Sequence, residues 1–143
     1  MIFINHKCDK GKNKSVREKG EINIMMKAAV FYGPKDVRIE ERAIPEIGKG
    51  DILVRVHYCA ICGTDVRIYN FGQANVVPPR ITGHEVSGVI EAIGSEVKGY
   101  EVGNKVVLAP IMPCGTCEYC LNGRGNLCND VTTFGYNLDG GFA

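Results

Sequence analysis

Four cysteines in one short segment of this 143-residue chain constrain its fold more than any other feature. Cys114, Cys117, Cys120 and Cys128 follow a C-x2-C-x2-C-x7-C spacing. Four thiolates this close in sequence can complete a tetrahedral shell around one metal ion without help from the rest of the chain. Because such a shell leaves no position open for a reactant, we expect a structural zinc that fixes a lobe with little core of its own.

Two other readings of the cluster are free or disulfide-bonded cysteines, and iron in a rubredoxin-like site. Disulfides are disfavoured in a reducing cytoplasm, and rubredoxin-like sites usually use two separated pairs, which this spacing does not match. Zinc with four thiolates carries a formal charge of −2. We therefore expect backbone amides to offset that charge, with Arg124 as a candidate to help.

A second group combines a thiol, an imidazole and carboxylates. Cys62 lies in the sequence Cys62-Gly63-Thr64-Asp65, and His84 lies between Gly83 and Glu85. A cysteine just before a helix start has a lowered pKa, which favours the thiolate that binds metal. The alternatives are a capping or buried cysteine and a structural histidine. The zinc cluster in the same chain favours the interpretation of both as ligands of a metal that does chemistry.

Cys59 and Cys62 also form a C-x-x-C pair, which can be a redox motif. Cys59 continues the alternating pattern of a strand, so we expect it to pack as a small apolar residue. His57 lies on the same predicted strand face, where a surface or core histidine is a better interpretation than a metal ligand.

Alternating apolar and polar residues predict a β-rich domain with a metal-bearing loop as an appendage. Strands are expected at 28–32, 37–40, 52–59, 86–93 and 105–109. Two short helices are expected at 64–69, capped by Thr64 or Asp65, and at 117–122. The 18 glycines suit strands that bend around a small barrel.

Composition argues against several classes of protein. The net charge is +1, which favours neither a nucleic-acid nor a membrane surface. No apolar run approaches the ~20 residues of a membrane helix, and the run Ile2-Phe3-Ile4 is too short for a signal peptide. We therefore expect a reducing cytoplasm, in which the seven cysteines are metal ligands or reactive thiols.

Residues 1–25 differ in composition from the rest. They hold six of the 17 basic residues against three acidic ones. We expect a flexible leader, natural or introduced by cloning, before a start at Met25 or Met26, and one domain at 26–143. A basic anchoring arm is the alternative. His6 and Cys8 lie in this leader, and both are interpreted as incidental.

The motifs together resemble the zinc-dependent medium-chain alcohol dehydrogenase family. Four of them occur in family order: Cys62-Gly63-Thr64-Asp65, Gly83-His84-Glu85, the four-cysteine cluster, and Asp139-Gly140-Gly141-Phe142-Ala143. Residues 27–143 resemble its N-terminal catalytic domain, a distorted β-barrel often called GroES-like. The resemblance implies a mainly β fold with a few short helices and a zinc-binding loop lobe.

The resemblance also implies a role for each matching residue. Cys62 and His84 match the first two ligands of a catalytic zinc, and Glu85 matches a glutamate that can become a transient ligand. Thr64 matches the hydroxyl that hydrogen-bonds the substrate alcohol and opens a proton relay. Asp65 matches a carboxylate that orients the ligand histidine. Arg67 stands where some members place a relay histidine. The four later cysteines match the structural zinc.

An open zinc site would bind an alcohol oxygen and stabilise the alkoxide, while hydride passes to NAD(P). The cofactor would need a Rossmann domain, whose glycine fingerprint is absent here; Gly123-Arg124-Gly125 only half-resembles it. The family's third zinc ligand, a cysteine or a glutamate, is also missing. We therefore expect an isolated or truncated catalytic domain, inactive by itself. Its second zinc should be weak, absent, or completed by water or Glu85.

The leading hypothesis is thus the catalytic part of an alcohol or polyol dehydrogenase, which as a full-length protein would be a homo-oligomer with a small-molecule substrate. A stand-alone zinc-stabilised binding domain without turnover is the alternative. A zinc-ribbon that binds nucleic acid is disfavoured by the near-neutral charge and the lack of a basic aromatic patch.

Overall fold

Strands dominate the computed structural model, which describes residues 2–5, 16–18, 21–23 and 25–143. The strands are β1 Ile2–Asn5, β2 Val16–Glu18, β3 Glu21–Asn23, β4 Met25–Gly33, β5 Asp36–Ala43, β6 Ile52–Ala60, β7 Arg80–Ile81, β8 Glu85–Ile93, β9 Lys105–Val107, β10 Ile111–Met112 and β11 Thr132–Thr133. The helices are α1 Gly63–Phe71 and α2 Glu118–Leu121, with a 3-10 turn at Gly125–Leu127. The mainly β class with a few short helices is confirmed.

The largest sheet has the strand order β1-β6-β8-β9. Strands β6 and β8 are antiparallel, with Ile52 opposite Ile93 at one end and Ala60 opposite Glu85 at the other. The register shifts between Val56 and Tyr58, where one strand carries an extra residue. This pairing sets the end of β6 beside the beginning of β8, so the residues that follow Ala60 lie next to those that precede Glu85.

A second sheet has the order β5-β4-β7. Strands β4 and β5 form a hairpin, and Lys35 in its turn adopts a left-handed φ of 63°. Strand β7 pairs with the other edge of β4, with Ile81 opposite Val30. The segment 140–142 runs beside β7, and the Ala29 amide donates to the Phe142 carbonyl at 2.7 Å.

Buried side chains form three clusters. The largest joins β6 and β8 to the loops after β9 and β11, with Val54, Ile90 and Phe134 each 1% exposed. A second cluster lies between β4, β7 and Ala143. The third packs helix α1 against β4 through Ile68. Strand β4 is longer than the stretch expected from alternation, 28–32, whereas β9 ends at Val107 and is shorter than the expected 105–109.

Three of the strands lie in the segment expected to be a leader. Strand β1 pairs in parallel with β6, with Ile2 opposite Ile52, and β2 pairs with β3. The division of the chain at residue 25 stays a prediction. His6 and Cys8 lie outside the described residues. Neither helix in the described part of the chain has the length and the apolar character that a membrane span requires.

The β6–β8 core predicts a large difference between two isoleucine truncations. Ile90 is 1% exposed, whereas Ile39 on β5 is 72% exposed. We expect Ile90→Ala to lower the free energy of unfolding by about 2–5 kcal/mol, because it leaves a cavity. Ile39→Ala should cost less than about 1 kcal/mol. Urea denaturation of both variants measures the two values, and equal losses would contradict this description of the core.

Candidate metal centres

Cys62 forms the N-terminal cap of helix α1. Its Sγ accepts a hydrogen bond from the Thr64 amide at 3.3 Å, and Asp65 Oδ2 accepts one from the Cys62 amide at 3.0 Å. This reciprocal pair is a capping box. The expectation that Thr64 or Asp65 would be the cap itself is therefore wrong. The thiol takes the cap position, and Asp65 reaches back from the third helical residue.

The ring of His84 lies between Cys62 and Asp65. Its Nε2 is 3.3 Å from Cys62 Sγ, and its Nδ1 is 3.7 Å from Asp65 Oδ1. Both Nδ1 and Oδ1 are buried and have no hydrogen-bond partner. A small closing movement would let Nδ1–H donate to the carboxylate. That tautomer leaves the lone pair of Nε2 free, on the side that faces the thiol.

Cys62, His84 and Glu85 each offer a donor atom, and these atoms lie within 4.8 Å of one another. Cys62 and His84 are half-buried, whereas Glu85 is exposed. One sulfur, one imidazole nitrogen and one carboxylate form a donor set suited to zinc. The unpartnered buried atoms of His84 and Asp65 also fit a ligand histidine held by a carboxylate. The residues present therefore fit a metal ion with an open position.

Tyr136 was not expected at this site. Its ring meets the His84 ring edge to face, with centroids 5.9 Å apart and planes at 67°. It also packs against the cluster of Phe31, Ile68 and Val76. No local spacing signals this contact, because the two aromatic residues are 52 positions apart.

Arg67, which stands where some family members place a relay histidine, is exposed and hydrogen-bonds Gln73 on the outer side of the helix.

Cys59 packs against the β6–β8 core, as expected. Burial raises the pKa of its thiol to about 12, and the nearby Asp65 carboxylate adds to the shift. A thiol that stays protonated near neutral pH is a poor nucleophile, so the redox interpretation of the Cys59–Cys62 pair is not supported. His57 is exposed on β6, consistent with a surface residue.

The four later cysteines converge in the loop around α2. Cys120 Sγ lies 3.5 Å from Cys117 Sγ and 3.9 Å from Cys114 Sγ, and Cys117 and Cys128 sulfurs are 3.9 Å apart. A zinc tetrahedron with Zn–S bonds of ~2.3 Å has S···S edges of ~3.8 Å. The spacing of the sulfurs therefore fits one zinc ion at the centre of the cluster.

Backbone amides surround these sulfurs. Cys128 Sγ accepts from the amides of Cys114 at 3.2 Å and Asp130 at 3.3 Å, and Cys114 Sγ accepts from Cys117 at 3.4 Å. Such bonds stabilise thiolate charge, as expected for this loop. The guanidinium of Arg124 instead lies over the Tyr119 ring, 5.6 Å from its centroid.

The environment shifts the pKa values of the Cys114 and Cys120 thiols in opposite directions. Hydrogen bonds from the backbone and hydroxyl of Thr116 lower the pKa of Cys114 to about 6. Desolvation, together with its sulfur neighbours, raises the pKa of Cys120 to about 12. The Cys114 thiol is thus the more acidic of the two.

This difference predicts the order of alkylation in chain freed of metal with a chelator. At pH 7 iodoacetamide should modify Cys114 well before Cys120, because the thiolate is the nucleophile. Peptide mass spectrometry at several times measures the order, and lowering the pH to 5 should slow modification of Cys114. Faster modification of Cys120 would contradict the assigned hydrogen bonds.

A comparison with known protein families identifies one whose members have this kind of domain. The model of the alcohol dehydrogenase GroES-like domain matches residues 48–143. The chain belongs to this family. The match covers all the residues of both candidate metal centres, so the resemblance inferred from the motifs is confirmed.

Individual relatives agree with this membership. The sorbitol dehydrogenase of Bacillus subtilis strain 168 is 41% identical over 109 residues, which are 74% of this chain and 31% of that protein. The L-threonine 3-dehydrogenase of Rhizobium johnstonii is 43% identical over 122 residues, 82% of this chain and 35% of that protein. This chain therefore spans about a third of the length of these relatives.

Solved structures show the same fold. Galactitol-1-phosphate dehydrogenase from Escherichia coli superposes with a TM-score of 0.73 and 38% identity, over 82% of this chain and 34% of that one. An alcohol dehydrogenase, RspB, from Escherichia coli CFT073 in complex with NADH gives a TM-score of 0.75 and 37% identity, with the same coverage. The GroES-like fold is therefore shown for most of the described residues.

Proposed function

We propose that this chain is the catalytic-domain portion of a zinc-dependent, NAD(P)-linked dehydrogenase that oxidises a small alcohol or polyol to an aldehyde or ketone. The observation that carries the proposal is the approach of His84 Nε2 to Cys62 Sγ at 3.3 Å, with Glu85 close by. This open group stands apart from the closed four-thiol cluster. In this proposal the Cys62–His84 centre is catalytic, and the four-cysteine centre stabilises the loop around α2.

The chain's own residues have distinct tasks in this proposal. Cys62 and His84 would hold the catalytic zinc, and Glu85 would be a further or transient ligand. A bound zinc ion supplies a Lewis acid that lowers the pKa of an alcohol. Thr64, partly buried beside Cys62, would accept the alcohol's proton through its hydroxyl and pass it outward. Asp65 keeps the proton of His84 on Nδ1, so that Nε2 faces the metal.

The acceptor of the hydride would be a nicotinamide bound by another domain. NADH is bound in the Escherichia coli RspB structure, and the sorbitol and threonine dehydrogenases suggest a polyol or amino-alcohol substrate. We propose the cytoplasm as the location and a homo-oligomer as the full-length form. By itself the chain would not turn over in this proposal, because the nicotinamide and a further zinc ligand would have to come from another domain.

A stand-alone zinc-stabilised domain without turnover is the second candidate. It is favoured by the four-cysteine cluster, which is complete within this chain. The Cys62 group, by contrast, has three donors among the described residues, and one of them is exposed. A role in nucleic-acid binding is disfavoured by the net charge of +1. A salt-dependent DNA-binding assay should detect no affinity at physiological salt.

A fusion tests the enzyme proposal directly. The chain would be joined to the carboxyl-terminal part of the Bacillus subtilis sorbitol dehydrogenase, in place of the part of that protein that it matches. Alcohol- or polyol-dependent reduction of NAD(P), followed by absorbance, should appear in the fusion and not in the chain alone. Thr64→Ala should lower kcat by about a hundredfold or more, because proton transfer loses its hydroxyl.

Thr64→Ser is the matched control, since it keeps the hydroxyl and should retain most of the activity. A fusion that binds cofactor and zinc but oxidises no alcohol would favour the stand-alone domain. Equal activity of the alanine and serine variants would instead contradict the proton path through Thr64, because the hydroxyl would then be dispensable.

Zinc content tests the difference between the two centres. We expect one tightly held ion per chain, which Cys120→Ser should release, and a second ion that is lost on dialysis. Inductively coupled plasma mass spectrometry after dialysis measures the ratio, with Cys59→Ser as a cysteine control outside both centres. Two tightly held ions per chain would contradict the expected weakness of the Cys62 centre.

A further inference from the structure

The segment 139–142 lies against the residues that lead into His84. Asp139 Oδ1 accepts a hydrogen bond from Arg80 Nη1 at 2.9 Å and another from the Ile81 amide at 3.1 Å, although these residues are 59 and 58 positions away. The next amide, that of Gly140, donates to the Ile81 carbonyl at 2.8 Å. One carboxylate thus sets the register between the two segments.

Backbone hydrogen bonds continue this register toward His84. The Phe142 amide donates to the Thr82 carbonyl at 3.0 Å, and the Gly141 amide donates to the Gly83 carbonyl at 2.9 Å. On its other side, the Phe142 carbonyl accepts from Ala29 of β4 at 2.7 Å. Residues 81–83 are therefore held by a segment that is itself tied to a central strand.

Glycines bring the two backbones into close contact. Gly83 has a φ of +90°, and a Cβ there would lie 2.8 Å from Phe142 Cγ and 2.9 Å from Cys59 Sγ. A Cβ at Gly140 would lie 2.2 Å from the Gly83 carbonyl oxygen. Because no side chain separates the backbones, a displacement of one segment is transmitted directly to the other.

His84 is the next residue, and its ring depends on this backbone. Its Nε2 faces Cys62 and its Nδ1 faces Asp65 without a completed hydrogen bond. The position of the ring therefore depends on the backbone at 81–83 as well as on its contacts with Cys62, Asp65 and Tyr136. Metal–ligand distances tolerate errors of only about 0.2 Å. A shift of the backbone at 81–83 would take Nε2 away from the position that a shared metal requires.

We propose that Asp139 is a positioning residue for the metal centre formed by Cys62 and His84. It holds Arg80 and Ile81 so that His84 Nε2 stays within reach of Cys62 Sγ. The inference rests on the proposed function only in assuming that these two residues share a metal. The place of Asp139 in the fold, by contrast, follows from its own contacts.

Exposure distinguishes this role from a general contribution to stability. The Asp139 side chain is 56% exposed and that of Arg80 is 23% exposed, and ion pairs in such settings stabilise a fold only slightly. Removing the carboxylate should therefore affect the nearby metal centre much more than the fold. Residues that orient metal ligands typically change metal affinity by about 10- to 100-fold.

Cadmium-113 NMR during a cadmium titration separates the two centres, because a four-sulfur site and a mixed sulfur–nitrogen site resonate at different shifts. We expect Asp139→Ala to weaken cadmium binding at the Cys62–His84 centre by about tenfold or more, with the four-cysteine signal unchanged. Asp139→Asn should retain near-normal binding, because its amide oxygen can still accept from Arg80 and Ile81.

Asp36→Ala is the matched control. Asp36 forms an exposed ion pair with Arg38 at 2.7 Å in the β4–β5 hairpin, so its loss should leave both cadmium signals unchanged. Equal binding at the mixed centre in wild type and Asp139→Ala would overturn the proposal. Parallel loss of both cadmium signals would also overturn it, because it would show a general structural role.

A metal-free readout separates this inference from the proposed function. The wild-type chain should show NOEs between the rings of His84 and Tyr136, and so should Asp139→Asn, whereas Asp139→Ala should lose them. If wild type bound no cadmium at the mixed centre, the assumption that Cys62 and His84 share a metal within this chain would fail, and these NOEs alone would decide the positioning role. Their persistence in Asp139→Ala would overturn it.

Discussion

The antiparallel pairing of β6 with β8 is the constraint on which both the fold and the candidate catalytic centre depend. Its register sets Ala60 opposite Glu85, so Cys62 and His84, 22 residues apart, lie just beyond the paired ends of two strands. The same pairing contributes Val54 and Ile90 to the largest buried cluster. The hydrophobic effect that holds the sheet together thus also sets the distance between a thiol and an imidazole.

The two candidate metal centres differ in how they are built. The four-cysteine centre comes from one loop, and its sulfurs are surrounded by amides of the same loop. The Cys62–His84 centre is assembled from a helix cap, a strand beginning and a buried carboxylate on the helix. A centre formed by one loop depends little on the rest of the fold. In a centre formed by distant elements, a change in strand register changes the distances between the ligands. This difference is why the first is expected to hold metal tightly and the second to depend on distant contacts.

Local patterns predicted much of this structure. The cysteine spacing predicted a closed cluster, the alternation at 52–59 predicted β6, and the pattern at Cys59 predicted that it packs in the core. The motif around Cys62 and His84 indicated the family correctly, but it left the capping role of the thiol as one alternative, because a cysteine is a rare cap. The contacts of Tyr136 with His84 and of Asp139 with Arg80 join residues more than 50 positions apart. Such contacts depend on the complete topology, which no local spacing reveals.

The central claim is that Cys62 and His84 share one metal ion. Anomalous diffraction at the zinc edge, on crystals grown with excess zinc, tests it most directly. The account predicts a second anomalous peak ~2.3 Å from Cys62 Sγ and ~2.0–2.1 Å from His84 Nε2, apart from the peak within the four-cysteine cluster. A peak in the cluster alone, with Cys62 and His84 free of metal at saturating zinc, would contradict it.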